Sequence, residues 1–323
     1  MRGVFLDTGS LVAKAGERGD LDFAAIKALP IDWHYHAFTE SEAVVDRLQG
    51  AEVVVTNKVV LDAAQLARLP DLKLIAVAAT GVNNVDLDAA SRQNIQVCNV
   101  TGYATPSVVQ HVFMLILALL RQLPAYRAAV RDGRWQQSRH FCLLDYPVDE
   151  LQNKRLGIIG YGELGQAVAR MGEAFGMHCL IARRNAHDRR PGRLALTELL
   201  QKADVVSLHC PLSEETRHLI GAEQLALMKP GALLINTARG GIVDESALYQ
   251  ALQEGHLGGA GVDVLAQEPP AADNPLLAAP LDNLIVTPHI AWASRAARQR
   301  LLDQVADNIA GYLDGGHVPN ALL

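Results

Sequence analysis

Three polar segments of the chain each follow a predicted β-strand and together contain an arginine, a glutamate and a histidine. Arg239 follows the strand LLIN, Glu268 follows GVDV and His289 follows LIVT. Because the carboxyl ends of parallel strands meet at one edge of an open α/β sheet, these side chains are expected to lie near one another. Such a set can bind an anion and exchange a proton. A solvated loop position is the alternative for each residue, since spacing alone does not establish convergence.

A glycine-rich motif lies between a predicted strand and a predicted helix in the middle of the chain. It reads Gly160-Tyr161-Gly162-Glu163-Leu164-Gly165, after LGII and before QAVARMGEAF. In dinucleotide-binding units the first glycine permits a tight turn, the second lets the backbone approach a pyrophosphate, and the third lets helix and strand pack closely. The motif therefore predicts a bound NAD or NADP, with a generic strand-to-helix turn as the alternative.

The strand after the glycine motif ends in two arginines instead of an acid. NAD-binding units usually place Asp or Glu about 20 residues further on, where it binds the ribose 2′-hydroxyl. Here Arg183 and Arg184 follow the strand HCLIA, and the first acid is Asp188. Guanidinium groups pair with a phosphate in a bidentate manner. The sequence therefore favours NADP over NAD, and two solvated arginines on a loop are the alternative.

Further short motifs are spread over nearly the whole chain. They lie in residues 79–86, 160–165, 209–212 with Thr216, 236–241 with 243–245, Asp263 with 268–269, and 287–289. In these motifs the sequence resembles the D-isomer specific 2-hydroxyacid dehydrogenase family. Within that family it is most similar to the glycerate dehydrogenase/hydroxypyruvate reductase branch, on the strength of residues 56–58, 102–107, 141–145 and 289–292.

The resemblance implies an oxidoreductase that transfers a hydride between NAD(P)H and a small 2-oxoacid, converting hydroxypyruvate or glyoxylate to D-glycerate or glycolate. It assigns the carboxylate and carbonyl of the substrate to Arg239, whose planar guanidinium suits both. It makes His289 the general acid in reduction and the general base in oxidation. It makes Glu268 the partner that orients this imidazole.

The resemblance also implies two sets of binding residues. The cofactor set is Gly160, Tyr161, Gly162, Glu163, Leu164, Gly165, Arg183, Arg184, Cys210, Pro211, Thr216, Thr237, Ala238, Arg239, Asp263, His289 and Ala291. The substrate set is Asn57, Ala79, Thr80, Gly81, Arg239 and His289. The backbone N–H groups of Thr80 and Gly81 are expected to hold the carboxylate from the other domain, so that closure of the cleft contributes to catalysis. The roles of His140 and Trp292 in the pocket stay open.

Short apolar runs alternate with longer helical stretches almost throughout, which predicts an α/β fold with two doubly wound parallel sheets. Strands are expected at 4–6, 31–36, 53–56, 74–79, 96–98, 155–159, 178–182, 205–209, 233–236, 261–264 and 284–287. Helices are expected at 39–48, opened by a capping box from Thr39 to Glu42, and at 61–69, 106–120 and 294–313. Helix 106–120 is apolar nearly all round and should be buried, with His111 as a core histidine.

The resemblance divides the chain into two domains. A flavodoxin-like substrate domain takes residues 1–98 plus 288–323, and a Rossmann NAD(P)-binding domain takes residues 99–287, with the active site in the cleft between them. A homodimer built through the cofactor domains is also implied. Helix 106–120 and the aromatic loop 139–150 are expected to contribute to its interface.

Composition excludes several classes of protein. The chain has 323 residues, and 29 basic against 35 acidic residues give a net charge of −6 without a basic block, which argues against nucleic acid as a partner. The longest apolar run, 112–120, covers about 14 Å as a helix, too short for the roughly 30 Å of a membrane core. No signal peptide is evident and the four cysteines are scattered, so a cytoplasmic protein without a metal site is expected.

Two alternative functions stay open. The first is a dehydrogenase of another D-2-hydroxyacid such as 3-phosphoglycerate, for which Lys58 is the only cation that can be assigned to the phosphate. The second is a dinucleotide-sensing interaction protein without significant turnover. The intact Arg239, Glu268 and His289 argue against the second.

Overall fold

The computed structural model describes residues 1–12, 19–185, 187–278, 280–315 and 317–323. They form two compact units, Met1–Ala104 with Ala293–Leu323, and Thr105–Trp292. The boundaries expected from the sequence, 98/99 and 287/288, fall shortly before the observed ones. Each unit contains one parallel sheet with helices between its strands, so the predicted α/β class with two doubly wound sheets is confirmed.

The first unit contains a five-stranded sheet in the order β2-β1-β3-β4-β5. Its strands are β1 (Arg2–Phe5), β2 (Asp32–Tyr35), β3 (Val53–Thr56), β4 (Leu74–Val77) and β5 (Gln96–Cys98). Its helices are α1 (Ala24–Lys27), α2 (Val44–Leu48), α3 (Ala63–Leu66), α4 (Leu87–Arg92) and, from the end of the chain, α12 (Arg295–Leu313), with short 3₁₀ helices at Thr8–Ser10 and Ser41–Ala43. This strand order is that of the flavodoxin-like fold.

The strands β3 and β4 are buried at every position because helices cover both faces of a parallel sheet. The C-terminal helix α12 belongs to this unit, and Ser294 caps its first turn by accepting the N–H of Ala297 at 3.2 Å. Arg298 of α12 is 7% exposed and pairs with Asp20. A buried guanidinium needs such a partner, so this pair helps to fix α12 in place.

The second unit contains a seven-stranded sheet in the order β12-β11-β10-β9-β6-β7-β8. Its strands are β6 (Arg155–Ile159), β7 (His178–Ala182), β8 (Arg193–Leu194), β9 (Val205–Leu208), β10 (Leu233–Asn236), β11 (Gly259–Val262) and β12 (Leu284–Val286). Its helices are α5 (Thr105–Leu120), α6 (Leu123–Arg131), α7 (Glu163–Ala174), α8 (Leu196–Lys202), α9 (Ala222–Leu227), α10 (Glu245–Gln253) and α11 (Pro275–Ala278). The strand order reverses between β6 and β9, which is where dinucleotides bind in Rossmann folds.

Most predicted elements occur close to their expected bounds, and the prediction for residues 39–48 is wrong in its first half. Ser41–Ala43 is a 3₁₀ helix, and the α-helix α2 begins only at Val44. Thr39 is not an N-cap, because its hydroxyl oxygen accepts the Arg47 guanidinium at 2.5 Å while its proton goes to the carbonyl of Leu6. The capping box is therefore replaced by a contact that ties this segment to the residue after β1, a long-range contact that no local pattern predicts.

Among the described residues, no single helix is long and apolar enough to cross a membrane. Together, α5 and α6 have the length and apolar composition of a membrane span, but the two helices are bent by 61° relative to each other. Seven residues of α5 are buried against its own unit, as expected for the core helix that the sequence predicts.

Candidate active site

The glycine motif forms the turn between β6 and the N-terminus of α7. Gly160 has a φ of +94°, and a Cβ there would lie 2.6 Å from the carbonyl oxygen of His209, so only glycine fits. A Cβ on Gly165 would lie 2.1 Å from the carbonyl oxygen of Gly160. A Cβ on Gly162 would meet nothing within 4 Å, and Gly162 supplies no side-chain cap to α7. The first turn of α7 is thus open to an anion, because its N–H groups have no side-chain partner there.

Arg183 and Arg184 lie directly after β7, as predicted. The Arg183 Nε donates to the carbonyl of Arg193 at 3.3 Å. The guanidinium of Arg193 lies 4.6 Å from the centre of the Tyr161 ring, so a third arginine contacts the glycine motif. Asp188 is paired with Arg190 at 2.7 Å, which holds the pKa of that carboxyl below its ordinary value. The first acid after the two arginines is thus already paired. The side chains of Arg183, Arg184 and Arg193 therefore keep their positive charge.

The loop after β9 is closed by its own hydrogen bonds. The hydroxyl of Thr216 donates to the carbonyl of Pro211 at 2.7 Å and accepts the N–H of Ser213 at 2.7 Å. Burial raises the pKa of the Cys210 thiol, which disfavours its reactive thiolate form. The residues Cys210, Pro211 and Thr216 therefore form a fixed wall beside the glycine turn, since Gly160 packs against the backbone of Cys210.

The turn after β10 presents Arg239 at the surface. Asn236 organises this turn, because its side chain donates to the carbonyl of Arg239 at 2.9 Å and accepts the N–H of Ala238 at 3.1 Å. The Thr237 Oγ1 is buried and has no hydrogen-bond partner among the described residues. A buried hydroxyl without a partner is costly, so it marks a position where a ligand can supply one.

A close backbone contact links this turn to the loop that carries Glu268. A Cβ on Gly240 would lie 1.9 Å from the carbonyl oxygen of Leu265, so the two backbone segments touch directly. The N–H of Leu265 donates to Glu268 Oε1 at 2.9 Å, and Glu268 Oε2 lies 2.6 Å from Nδ1 of His289. One carboxylate thus fixes both the loop after β11 and the imidazole. The Nε2 of His289 remains as the nitrogen that can give or take a proton.

His289 occupies a backbone conformation that requires support. Its φ of +54° lies in the left-handed region, which costs a residue with a side chain about 1–2 kcal/mol. Its N–H donates to the carbonyl of Asp263 at 2.8 Å. The Asp263 carboxylate is 1% exposed and accepts the N–H groups of Ile290 at 2.9 Å and Ala291 at 2.8 Å. Asp263 therefore holds the loop of residues 287–292, which we call the His289 loop.

The predicted substrate residues of the first unit follow β3 and β4. Asn57 is buried, and its N–H donates to Asp7 at 2.8 Å. Thr80 is exposed, and its hydroxyl donates to the carbonyl of Val100 at 2.9 Å. In the described part of the chain the backbone N–H groups of Thr80 and Gly81 have no hydrogen-bond partner. They are available to an anion such as a carboxylate.

Sequence reasoning missed the contacts that hold two of the predicted residues. Asp7 and His111 are not among the predicted site residues, yet Asp7 binds the Asn57 loop and His111 contacts Thr287 in the His289 loop. The signal for His111 was a second polar residue one turn earlier, Ser107, on the same side of an apolar helix. Within the described ranges no three His, Cys, Asp or Glu side chains are grouped so that they could hold a metal ion.

Comparison with known proteins adds to this geometry. Residues 113–291 match the family pattern described as "D-isomer specific 2-hydroxyacid dehydrogenase, NAD binding domain". The chain is 48% identical over 315 residues to a glycerate dehydrogenase of Methylorubrum extorquens, covering 97% of this chain and 96% of that protein.

Solved structures are similar over the full length. The TT0316 protein from Thermus thermophilus is 38% identical, with a TM-score of 0.86 and complete coverage of both chains. An acyclic imino acid reductase (Bsp5) in complex with NADPH and D-Arg is 28% identical, with a TM-score of 0.85 and complete coverage of both chains.

Proposed function

The chain belongs to the D-isomer specific 2-hydroxyacid dehydrogenase family, and we propose that it reduces hydroxypyruvate or glyoxylate to the D-hydroxyacid with NAD(P)H. The observation that carries this proposal is the 2.6 Å contact between His289 Nδ1 and Glu268 Oε2. This oriented imidazole lies at the carboxyl edge of the sheet that also presents Arg239.

A bound NAD(P)H fits the residues of the second unit. The empty space over Gly162 and the uncapped N-terminus of α7 suit a pyrophosphate. In the described part of the chain the buried Thr237 hydroxyl has no hydrogen-bond partner, and a bound dinucleotide can supply one. The remaining cofactor contacts of the proposal are those of Glu163, Leu164, Cys210, Pro211, Thr216, Ala238 and Ala291.

Arg183 and Arg184 favour NADP over NAD in this proposal. A ribose 2′-phosphate carries negative charge, and the two guanidinium groups can match it. The charge of Asp188 is already paired with Arg190, so it does not oppose a phosphate. Arg193 adds positive charge beside Tyr161.

The chemistry follows from the positions of three side chains. A bound NAD(P)H would supply the hydride that reduces the substrate carbonyl. Arg239 binds the substrate carboxylate and stabilises the negative charge that develops on the carbonyl oxygen. His289 donates a proton from Nε2 to that oxygen, and Glu268 stabilises the imidazolium before this transfer. In the oxidative direction the same nitrogen accepts the proton.

The substrate residues predicted in the first unit also belong to this proposal. The N–H groups of Thr80 and Gly81 bind the carboxylate, with Ala79 and Asn57 beside them. The lack of hydrogen-bond partners for these two N–H groups among the described residues supports the assignment.

A homodimer through the cofactor domain is the proposed assembly. The loop 139–150 exposes large apolar side chains, with Phe141 at 92% and Leu144 at 81% exposure. The loop is nevertheless fixed by Tyr126, whose hydroxyl donates to the carbonyl of Tyr146 at 2.7 Å. An ordered loop with exposed apolar side chains is typical of a protein–protein interface.

Steady-state reduction of hydroxypyruvate, run in parallel with NADPH and NADH, tests the proposed function. Turnover with a preference for NADPH supports both the reaction and the role of the arginines. Turnover mainly with NADH supports the reaction and rejects the arginine assignment. No turnover with hydroxypyruvate or glyoxylate rejects the proposed substrates, and 3-phosphoglycerate is then the next compound to assay.

The substitution Arg183→Asp tests the cofactor preference directly. It replaces a partner of the 2′-phosphate by an acid that repels the phosphate and can bind a 2′-hydroxyl. We expect the ratio of kcat/KM for NADPH to that for NADH to fall about 100-fold, as for the loss of a charge pair of roughly 3 kcal/mol. An unchanged ratio rejects the role of Arg183. The substitution Arg170→Asp, in helix α7 of the same unit, is the matched control.

A further inference from the structure

Two polar residues of α5 contact the two ends of the His289 loop. Ser107 donates from Oγ to the carbonyl of Ala291 at 2.7 Å. His111, one turn further along the helix, has Nε2 at 2.9 Å from Thr287 Oγ1. Residues four apart lie on the same side of a helix, so one helix face holds both ends of the loop.

The His111 contact continues to Asp263. The hydroxyl of Thr287 donates to Asp263 Oδ1 at 2.5 Å, and His111 Nε2 lies 3.4 Å from the same oxygen. A threonine hydroxyl has one proton, so the Thr287 Oγ1 that donates to Asp263 must accept from His111. His111 therefore carries its proton on Nε2.

This assignment fits the surroundings of the imidazole. The His111 side chain is 10% exposed, and burial lowers its pKa while the charge of Asp263 opposes that shift. A neutral imidazole with its proton on Nε2 supplies the hydrogen bond that Thr287 needs. Thr287 and Asp263 are then held with their acceptors satisfied, in a part of the molecule where an unpaired polar group is costly.

We propose that His111 is a positioning residue of the reaction, which acts through Thr287 and Asp263 to hold His289 in its left-handed conformation. The inference rests on the proposed function, because it concerns the same general acid. His111 does not touch the reacting atoms. It fixes the side chain that accepts the N–H groups of Ile290 and Ala291, and these follow His289 directly.

The substitution His111→Leu removes the donor and keeps an apolar side chain of similar size. We expect kcat for hydroxypyruvate to fall about 10- to 100-fold, as for a small displacement of a catalytic group. The dissociation constant of NADPH, measured by fluorescence titration, should change by less than about threefold. The substitution His111→Gln, which retains a donor, should restore kcat to within about threefold of the original protein.

Two further measurements separate positioning from a general loss of stability. Gln110→Leu, on the exposed side of the same helix, should leave kcat unchanged. Hydrogen exchange measured by NMR should become faster at the amides of Ile290 and Ala291 in His111→Leu, while the amides of β6 keep their rates. This readout needs no turnover, so it tests the contact even where the proposed function fails.

The proposal is overturned by any of three results. The first is a His111→Leu protein with the kcat of the original. The second is an equal loss of kcat in the leucine and glutamine variants. The third is unchanged exchange at Ile290 and Ala291. Absence of turnover with both hydroxypyruvate and glyoxylate in the unsubstituted protein rejects the proposed function instead.

Discussion

Asp7 of the first unit and Asp263 of the second are buried carboxylates that follow a parallel strand and hold the loop of a neighbouring strand. Asp7 follows β1 and accepts the backbone N–H groups of Asn57 and Lys58, after β3. Asp263 follows β11 and accepts those of Ile290 and Ala291, after β12. Beyond the end of a strand, backbone N–H groups no longer have a partner in the neighbouring strand. In each case the carboxylate accepts these N–H groups instead.

The two carboxylates differ in what else they bind. Among the described residues the donors to Asp7 are backbone N–H groups, which do not titrate. Asp263 also accepts the hydroxyl of Thr287, which connects it to the imidazole of His111. The loop proposed to bind substrate is therefore held by a fixed carboxylate, whereas the loop that carries the proton donor is held by a carboxylate coupled to a titratable side chain.

Substitution of Asp263 is expected to have the largest effect. In Asp263→Asn one acceptor becomes an NH₂ group that faces a backbone N–H, so a buried donor is left unpaired at a cost of about 1–3 kcal/mol. Because the displaced loop carries His289, we expect kcat to fall about 100-fold. Steady-state kinetics and urea unfolding measure the two effects.

The control for this substitution is Asp204→Asn at the amino edge of the same sheet. Asp204 also accepts a backbone N–H, that of Arg155 at 2.7 Å, and pairs with Lys229. It should lose stability without losing kcat by more than about twofold. A similar loss of kcat in both variants contradicts a specific role of Asp263 in positioning.

Substitution of Asp7 should act on substrate binding. The variant Asp7→Asn disturbs the loop that contains Asn57 but leaves the His289 loop intact. We expect KM for hydroxypyruvate to rise about tenfold while kcat changes by less than about threefold, since an interaction with bound substrate contributes about 1.4 kcal/mol per factor of ten.

Asp62→Ala is the matched variant in the first unit, because it removes the N-cap of α3 and costs about 1 kcal/mol of stability. Its KM should equal that of the original protein. If Asp7→Asn instead lowers kcat as strongly as Asp263→Asn, the two carboxylates do not divide binding and proton transfer between them.

The fold was accessible from the sequence because it depends on local patterns, and the proposed catalytic side chains were accessible through the family resemblance. The strands Val53–Thr56 and Leu233–Asn236 have the predicted bounds, since short apolar runs between polar loops specify buried parallel strands. The pairing of Glu268 with His289 was implied by the family resemblance, and the structure has this contact.

The supporting contacts were not accessible because they join residues far apart in the chain. Asp7 reaches residues 50 positions away, and His111 reaches Thr287 across 176 positions. No periodicity or motif relates such residues. The capping box at Thr39 fails because its hydroxyl oxygen accepts the Arg47 guanidinium in place of the local N–H groups, while its proton goes to the distant carbonyl of Leu6.

The smallest expected effect is a difference between the two loops in how their stability depends on pH. Burial lowers the pKa of His111 below 6.5 in the folded protein, so opening of the His289 loop lets the imidazole take a proton at its ordinary pKa. Acid therefore favours opening, and stability present above pH 6.5 is lost as the pH falls. Between pH 6.5 and 5 the loss is at most about 2 kcal/mol, because 1.5 pH units correspond to about 1.4 kcal/mol each.

Hydrogen exchange measures the free energy of opening of each loop separately. The free energy of opening should decrease as the pH falls at Ile290 and Ala291. It should stay constant at Asn57 and Lys58, because the described contacts of the carboxylate that holds these N–H groups include no histidine. In His111→Gln the fall at Ile290 and Ala291 should disappear, because glutamine does not titrate. A fall of equal size at all four amides contradicts the difference between the loops, because it means that acid destabilises both units through groups other than His111.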